Sequence, residues 1–171
     1  MLLLGAEGAR DELCAALAPR IGARVLRTRD LAAAATTEAS EEGDELRALM
    51  LEKKIVPASL NLRLLARALA APAASVDLLV DFPRSAAQLA QLEKATKPVL
   101  CAVHVQGVGG STPSGSAALA EAVVRSLRAG GRVAEVAAGA GALDEALAAL
   151  ASSGIDIREP PKQEEAPAAA P

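Results

Sequence analysis

Aromatic residues are nearly absent: one Phe and no Trp or Tyr among 171 residues. Without rings there is no platform on which the bases of a single strand could stack. Lys and Arg are interspersed among acids at a net charge of −3, so no basic face is expected for a phosphate backbone or an anionic membrane. His104 is the single histidine, which leaves no histidine pair for zinc or for acid–base catalysis, and it is read as structural. The two cysteines, Cys14 and Cys101, fall in a helical and a strand pattern without C-x-x-C spacing, and read as small core residues. No apolar run reaches the roughly 18 residues that a bilayer span needs, and Met1–Gly5 is too short for a signal peptide. A soluble, cytoplasmic protein with neither metal nor cofactor is expected.

What is present is alanine, leucine and valine in alternating patterns. Apolar residues make up 51% of the chain, enough for one domain, expected over residues 1–157. Short apolar runs at Leu2–Leu4, Ala23–Arg27, Val76–Asp81, Pro98–Val105 and Arg132–Ala137 read as strands. Between them lie helical patterns: Ala9–Ile21, Thr28–Ala35, Ser40–Lys54, Pro57–Ala71, Ser85–Ala95, Ser116–Ala129 and Leu143–Ser152. Thr28 or Asp30 could cap the second helix. Leu46, Leu49 and Met50 are expected inward on the third, and Pro57 at the first position of the fourth. Strands alternating with helices predict an α/β fold, a five-stranded parallel sheet covered by helices on both faces. Residues 158–171, rich in Pro, Ala and Glu, read as an extended tail.

The opening stretch Met1–Leu13 has the order of a phosphate-binding loop: strand, glycine turn at Gly5 and Gly8, then helix. Laid against G-x-x-x-x-G-K-[ST] from Gly5, the second glycine is Arg10, the lysine is Asp11 and the hydroxyl position is Glu12, or Leu13 in the longer form. A lysine about 4 Å from a phosphate charge contributes roughly 4 kcal/mol at an effective dielectric near 20, and a carboxylate there reverses the sign. Glu7, Asp11 and Glu12 are expected to interact favourably with the helix dipole and so to occupy the anion site themselves.

These landmarks, with others further along, resemble the adenylate kinase family from Leu2 to about Ser152. Thr28-Arg-Asp-Leu31 resembles the S-T-G-D-L segment, Ile55-Val-Pro57 the turn before the nucleoside-monophosphate helix, and Val80-Asp-Phe-Pro-Arg84 with Gln88 the D-G-F-P-R segment and its following glutamine. The resemblance implies that Thr28, Arg84 and Gln88 match positions holding AMP in active members. Ala33 stands at a phosphate-clamping arginine, Val80 at the aspartate, and Asp81 at the glycine. Ser85 and Gln88 also fit a helix capping box. The family's lid and its arginines follow the fourth strand; here Gln106–Gly115 is too short for a lid. Arg125 and Arg128 are expected to face water, and Gly107–Gly110 to be a connection.

Phosphoryl transfer depends on positioned positive charge, metal and exclusion of water. The resemblance therefore implies a catalytically inactive, adenylate-kinase-like domain serving as a structural or docking subunit of a larger protein assembly. By analogy with related domains, that assembly would be a ciliary or flagellar axoneme. The alternatives are an AMP-sensing regulatory domain using Thr28, Arg84 and Gln88, and an active nucleoside monophosphate kinase with unusual residues.

Overall fold

The computed structural model describes residues 1–71, 76–106 and 115–155, with the backbone alone for 115–120. Five strands, β1 (Leu2–Gly5), β2 (Ala23–Arg27), β3 (Val76–Val80), β4 (Ala102–Gln106) and β5 (Val133–Ala137), form one sheet in the order β2-β3-β1-β4-β5. All four pairings are parallel, with Leu2 opposite both Leu79 and Ala102. The helices are α1 (Glu7–Arg20), α2 (Thr28–Thr36), α3 (Glu41–Leu51), α4 (Ala58–Ala70), α5 (Ala86–Ala95), α6 (Gly115–Arg128) and α7 (Ala142–Ser152). The expected α/β fold is the one observed.

Alternate side chains of each strand feed opposite layers, and because both faces are covered the strands are mostly apolar, with central β1 wholly so. Leu3, Val80, Val103 and Val105 pack under Leu13 and Leu17 of α1, its C-cap Ile21, and Ala146 and Leu150 of α7. Leu2, Leu4, Leu79 and Ala102 pack under Leu65 of α4, Leu89 and Leu92 of α5 and Val123 and Leu127 of α6. Both cysteines are buried free thiols. A smaller third cluster, Ala35, Leu46, Leu60 and Leu64, joins α2, α3 and α4. Outside it, Arg63 pairs with Glu42 and Glu45, and Arg67 with Glu38 and Glu42.

Several local expectations shift. The fourth strand begins at Ala102 rather than Pro98, leaving Leu100 exposed. Pro57 is the cap of α4, at φ −61° and ψ 147°, rather than its first helical residue. The residue before α2 is Arg27, and neither Thr28 nor Asp30 caps it. Ser40 caps α3 by accepting from the Gly43 N–H. Met50, expected inward, is 63% exposed, because α3 ends at Leu51 and its last turn overhangs the third cluster. That end is a Schellman turn: the Lys54 N–H donates to the Leu49 carbonyl and the Lys53 N–H to that of Met50. Lys53 takes the left-handed position, φ 53°, where glycine is usual. The expected tail and the Gly107–Gly110 connection lie outside the described residues, as does the short segment read as too brief for a lid.

Candidate functional site

In an open parallel sheet, ligands bind beyond the carboxyl ends of the strands where successive connections part in opposite directions. Here the chain leaves β1 towards β2 and leaves β4 towards β5, so the parting lies between β1 and β4. Gly5 forms the floor. Its φ is 132°, and a Cβ there would lie 2.4 Å from the Val105 carbonyl oxygen, so β4 approaches as closely as it does only because no side chain intervenes. Helix α1 starts at Glu7, directly after an Ala6 cap that makes no side-chain hydrogen bond. The two-glycine turn expected from the sequence is therefore absent. Gly8 lies inside α1, where an added methyl carbon would meet nothing within 4 Å.

The acids are also arranged differently from expectation. Only Glu7 lies in the first turn of α1, and Glu12 is exposed. Asp11, one turn further on, accepts from Arg27 Nη1 at 3.1 Å and lies 3.5 Å from Arg10 Nη2. Arg10 Nη2 in turn meets Asp81 Oδ1 at 2.8 Å, both side chains being mostly buried at 12% and 14% exposure. The result is an alternating chain, Arg27–Asp11–Arg10–Asp81, joining β2, α1 and the end of β3. Its charges are balanced, so the acidic excess counted along the sequence does not become an acidic pocket. Asp81 sits at φ 76°, which explains why glycine suits this position and why a residue tolerant of that region occupies it. Cys14 packs beside Arg27, and burial raises its thiol pKa against the opposing pull of that guanidinium.

Beside this chain, past the ends of β2 and β3, a cavity of about 520 Å³ opens between α2, α4 and the start of α5. Thr28, Arg84 and Gln88 all line it, together with Arg29, Asn61 and the Ile55–Ala58 segment. Three residues scattered over some sixty positions thus line one cavity. Ser85 accepts from the Gln88 N–H at 3.2 Å, while Gln88 Oε1 accepts from the Arg84 N–H at 2.7 Å, one residue earlier than the reciprocal bond of a standard capping box. The Gln88 carbonyl oxygen is thereby engaged. Arg84 Nε donates to the Asp81 carbonyl at 3.0 Å, and the guanidinium meets no carboxylate among the described residues. Ala33 is exposed and Val80 fully buried, so neither offers a polar group to the cavity.

Sequence reasoning does not find Arg10, Arg27 and Asp81 as a linked set, since their contacts join distant segments. Arg29 is signalled only by adjacency to Thr28. His104 lies on β4 opposite Leu4 and Glu135, half-buried, with Nδ1 making no hydrogen bond; burial lowers its pKa, with Glu121 opposing and Arg128 assisting. Arg128 pairs with Glu135, and Arg125 is exposed. Among the described residues no group of three His, Cys, Asp or Glu could hold a metal, and no helix is long and apolar enough to cross a membrane. No protein-family model matches the chain, and no curated protein sequence matches it.

Proposed function

We propose that the chain is a catalytically silent domain of the adenylate kinase type that serves as a docking subunit in a larger assembly. The observation that carries this reading is the Arg27–Asp11–Arg10–Asp81 chain. In a phosphate-transfer site, cations at the carboxyl ends of the strands must be free to meet the developing charge of the phosphoryl group. Here Arg10 and Arg27 are already matched to Asp81 and Asp11. A triphosphate would have to break those pairs while meeting two carboxylates, and the site has no lysine to compensate. An axonemal setting rests on the family resemblance alone.

A coupled assay with magnesium, ATP and AMP tests the silent reading. No turnover above blank is expected; turnover that Asp11→Ala abolishes and a distant surface change leaves intact would overturn it.

The cavity supports a second reading, that of an AMP-sensing domain, because Thr28, Arg84 and Gln88 line it together. Calorimetry with AMP, ADP and GMP distinguishes the two. Sensing predicts saturable heat that Arg84→Ala removes, whereas no heat at millimolar nucleotide rejects it.

A further inference from the structure

Exposed large apolar side chains are unevenly distributed. Of the four among the described residues, Met50, Leu51 and Ile55 fall within one short stretch, at 63%, 86% and 92% exposure. This stretch is the Schellman turn that ends α3, held in shape by the bonds from Lys53 and Lys54 back to Met50 and Leu49. It is continuous with the cavity, because Ile55 and its neighbours Val56 and Pro57 line the near wall. Single exposed apolar residues are ordinary, but a fixed cluster at the mouth of a cavity marks a contact surface.

The charge balance of the same surface selects its partner. Each nearby carboxylate is already matched: Asp81 to Arg10, Asp30 to Arg29, and Glu52 to Lys54. Arg84, which lines the cavity, and Lys53, in the turn between Leu51 and Ile55, meet no carboxylate among the described residues. Two uncompensated cations therefore accompany this apolar ridge, Lys53 within its stretch of chain and Arg84 in the cavity that Ile55 lines. Arg and Met are enriched in interface cores, and an arginine at a cavity wall is a common energetic anchor when it meets a carboxylate away from water.

We infer that this surface docks a protein segment in which acidic side chains stand next to large apolar ones. In this arrangement the carboxylate enters the cavity to meet Arg84, and the apolar side chains cover Met50, Leu51 and Ile55. The inference deepens the docking reading above and rests on it. A nucleotide would engage the cavity but leave the ridge uncovered, since the ridge extends beyond the cavity wall.

Selection from a random-peptide display library on the purified chain tests the surface whatever the partner's identity. Selected peptides are expected to be enriched in Asp or Glu beside Leu, Ile or Phe. Their affinity is expected to fall at least tenfold with Arg84→Ala and with Ile55→Ser, two exposed positions whose variants are checked for native unfolding midpoints. Selection on Arg84→Glu is expected to shift the enriched charge from acidic to basic. Peptides that ignore both substitutions, or no charge preference, would overturn the inference. So would an absence of peptides alongside AMP binding that Arg84→Ala removes, which would assign the cavity to a nucleotide. A native complex that survives the Arg84→Ala, Ile55→Ser double change refutes this surface and leaves the docking reading standing; a chain that is monomeric and partnerless in its native extract refutes the docking reading itself.

Discussion

Two neighbouring places at the carboxyl edge of the sheet use the same residue types to opposite ends. Over β1, Arg10 and Arg27 alternate with Asp11 and Asp81, and each charge is answered within the domain. Past the ends of β2 and β3, Arg84 faces a cavity with its charge unanswered. The first is closed and structural, the second open and available. Charge counted by residue type does not separate the two, because what matters is which opposite charge each group reaches.

The comparison breaks first at its floor. Gly5→Ala is expected to destabilise the chain by roughly 4 kcal/mol in chemical denaturation, since the new methyl meets the Val105 carbonyl and φ 132° is strained for any L side chain. Gly8→Ala, with open space around it inside α1, is expected to stabilise by about 0.5–1 kcal/mol. Equal effects at the two glycines would mean that β1 and β4 are not in such close contact.

Next in size is the contrast between arginines. Arg10→Met strands the mostly buried Asp81 and is expected to cost about 3 kcal/mol, with Asp81→Asn in the same chain restoring most of it. Arg84→Ala, at an exposed position, is expected to change stability by about 0.5 kcal/mol or less. Comparable losses would erase the distinction between the closed and open sites.

A smaller, favourable effect belongs to the ridge. Lys53→Gly relieves the left-handed backbone at φ 53° and is expected to raise stability by about 1 kcal/mol. Because Met50, Leu51 and Ile55 keep their places, peptide binding should persist. The smallest effect concerns His104, on the strand forming the far wall of the closed site. Burial holds its pKa below the ordinary 6.5, so the unfolded chain takes up the proton first. Its contribution to stability is complete above that value and declines as pH falls below it, until the folded site also protonates. A stability–pH curve should flatten slightly below pH 6.5 in His104→Gln.

The layered fold is legible because its signals are local. Val76–Val80 is apolar but for Asp77, and Ser85, read with Gln88 as a capping box, accepts the Gln88 N–H. The grouping of Thr28, Arg84 and Gln88 comes from resemblance, and the geometry brings them to one cavity. The Arg10–Asp81 pair is not legible, since it joins segments far apart in the chain and no spacing rule links its members. Met50 misleads because helical periodicity gives a residue's angular position but not where its helix outruns the layer beneath. Gly8 misleads because a glycine after a strand reads as a turn even where the helix has already begun.

The position of β1 at the middle of the sheet has a kinetic consequence. Every pairing is parallel, so no adjacent pair of strands can form as a hairpin, and Leu2 finds its two neighbours only at Leu79 and Ala102, so the central ladder must wait for long stretches of chain to close. Until then Leu2, Leu3 and Leu4 lack the strand partners that flank them in the sheet. Refolding should therefore be slow for a domain of this length, and dilution should favour it over self-association.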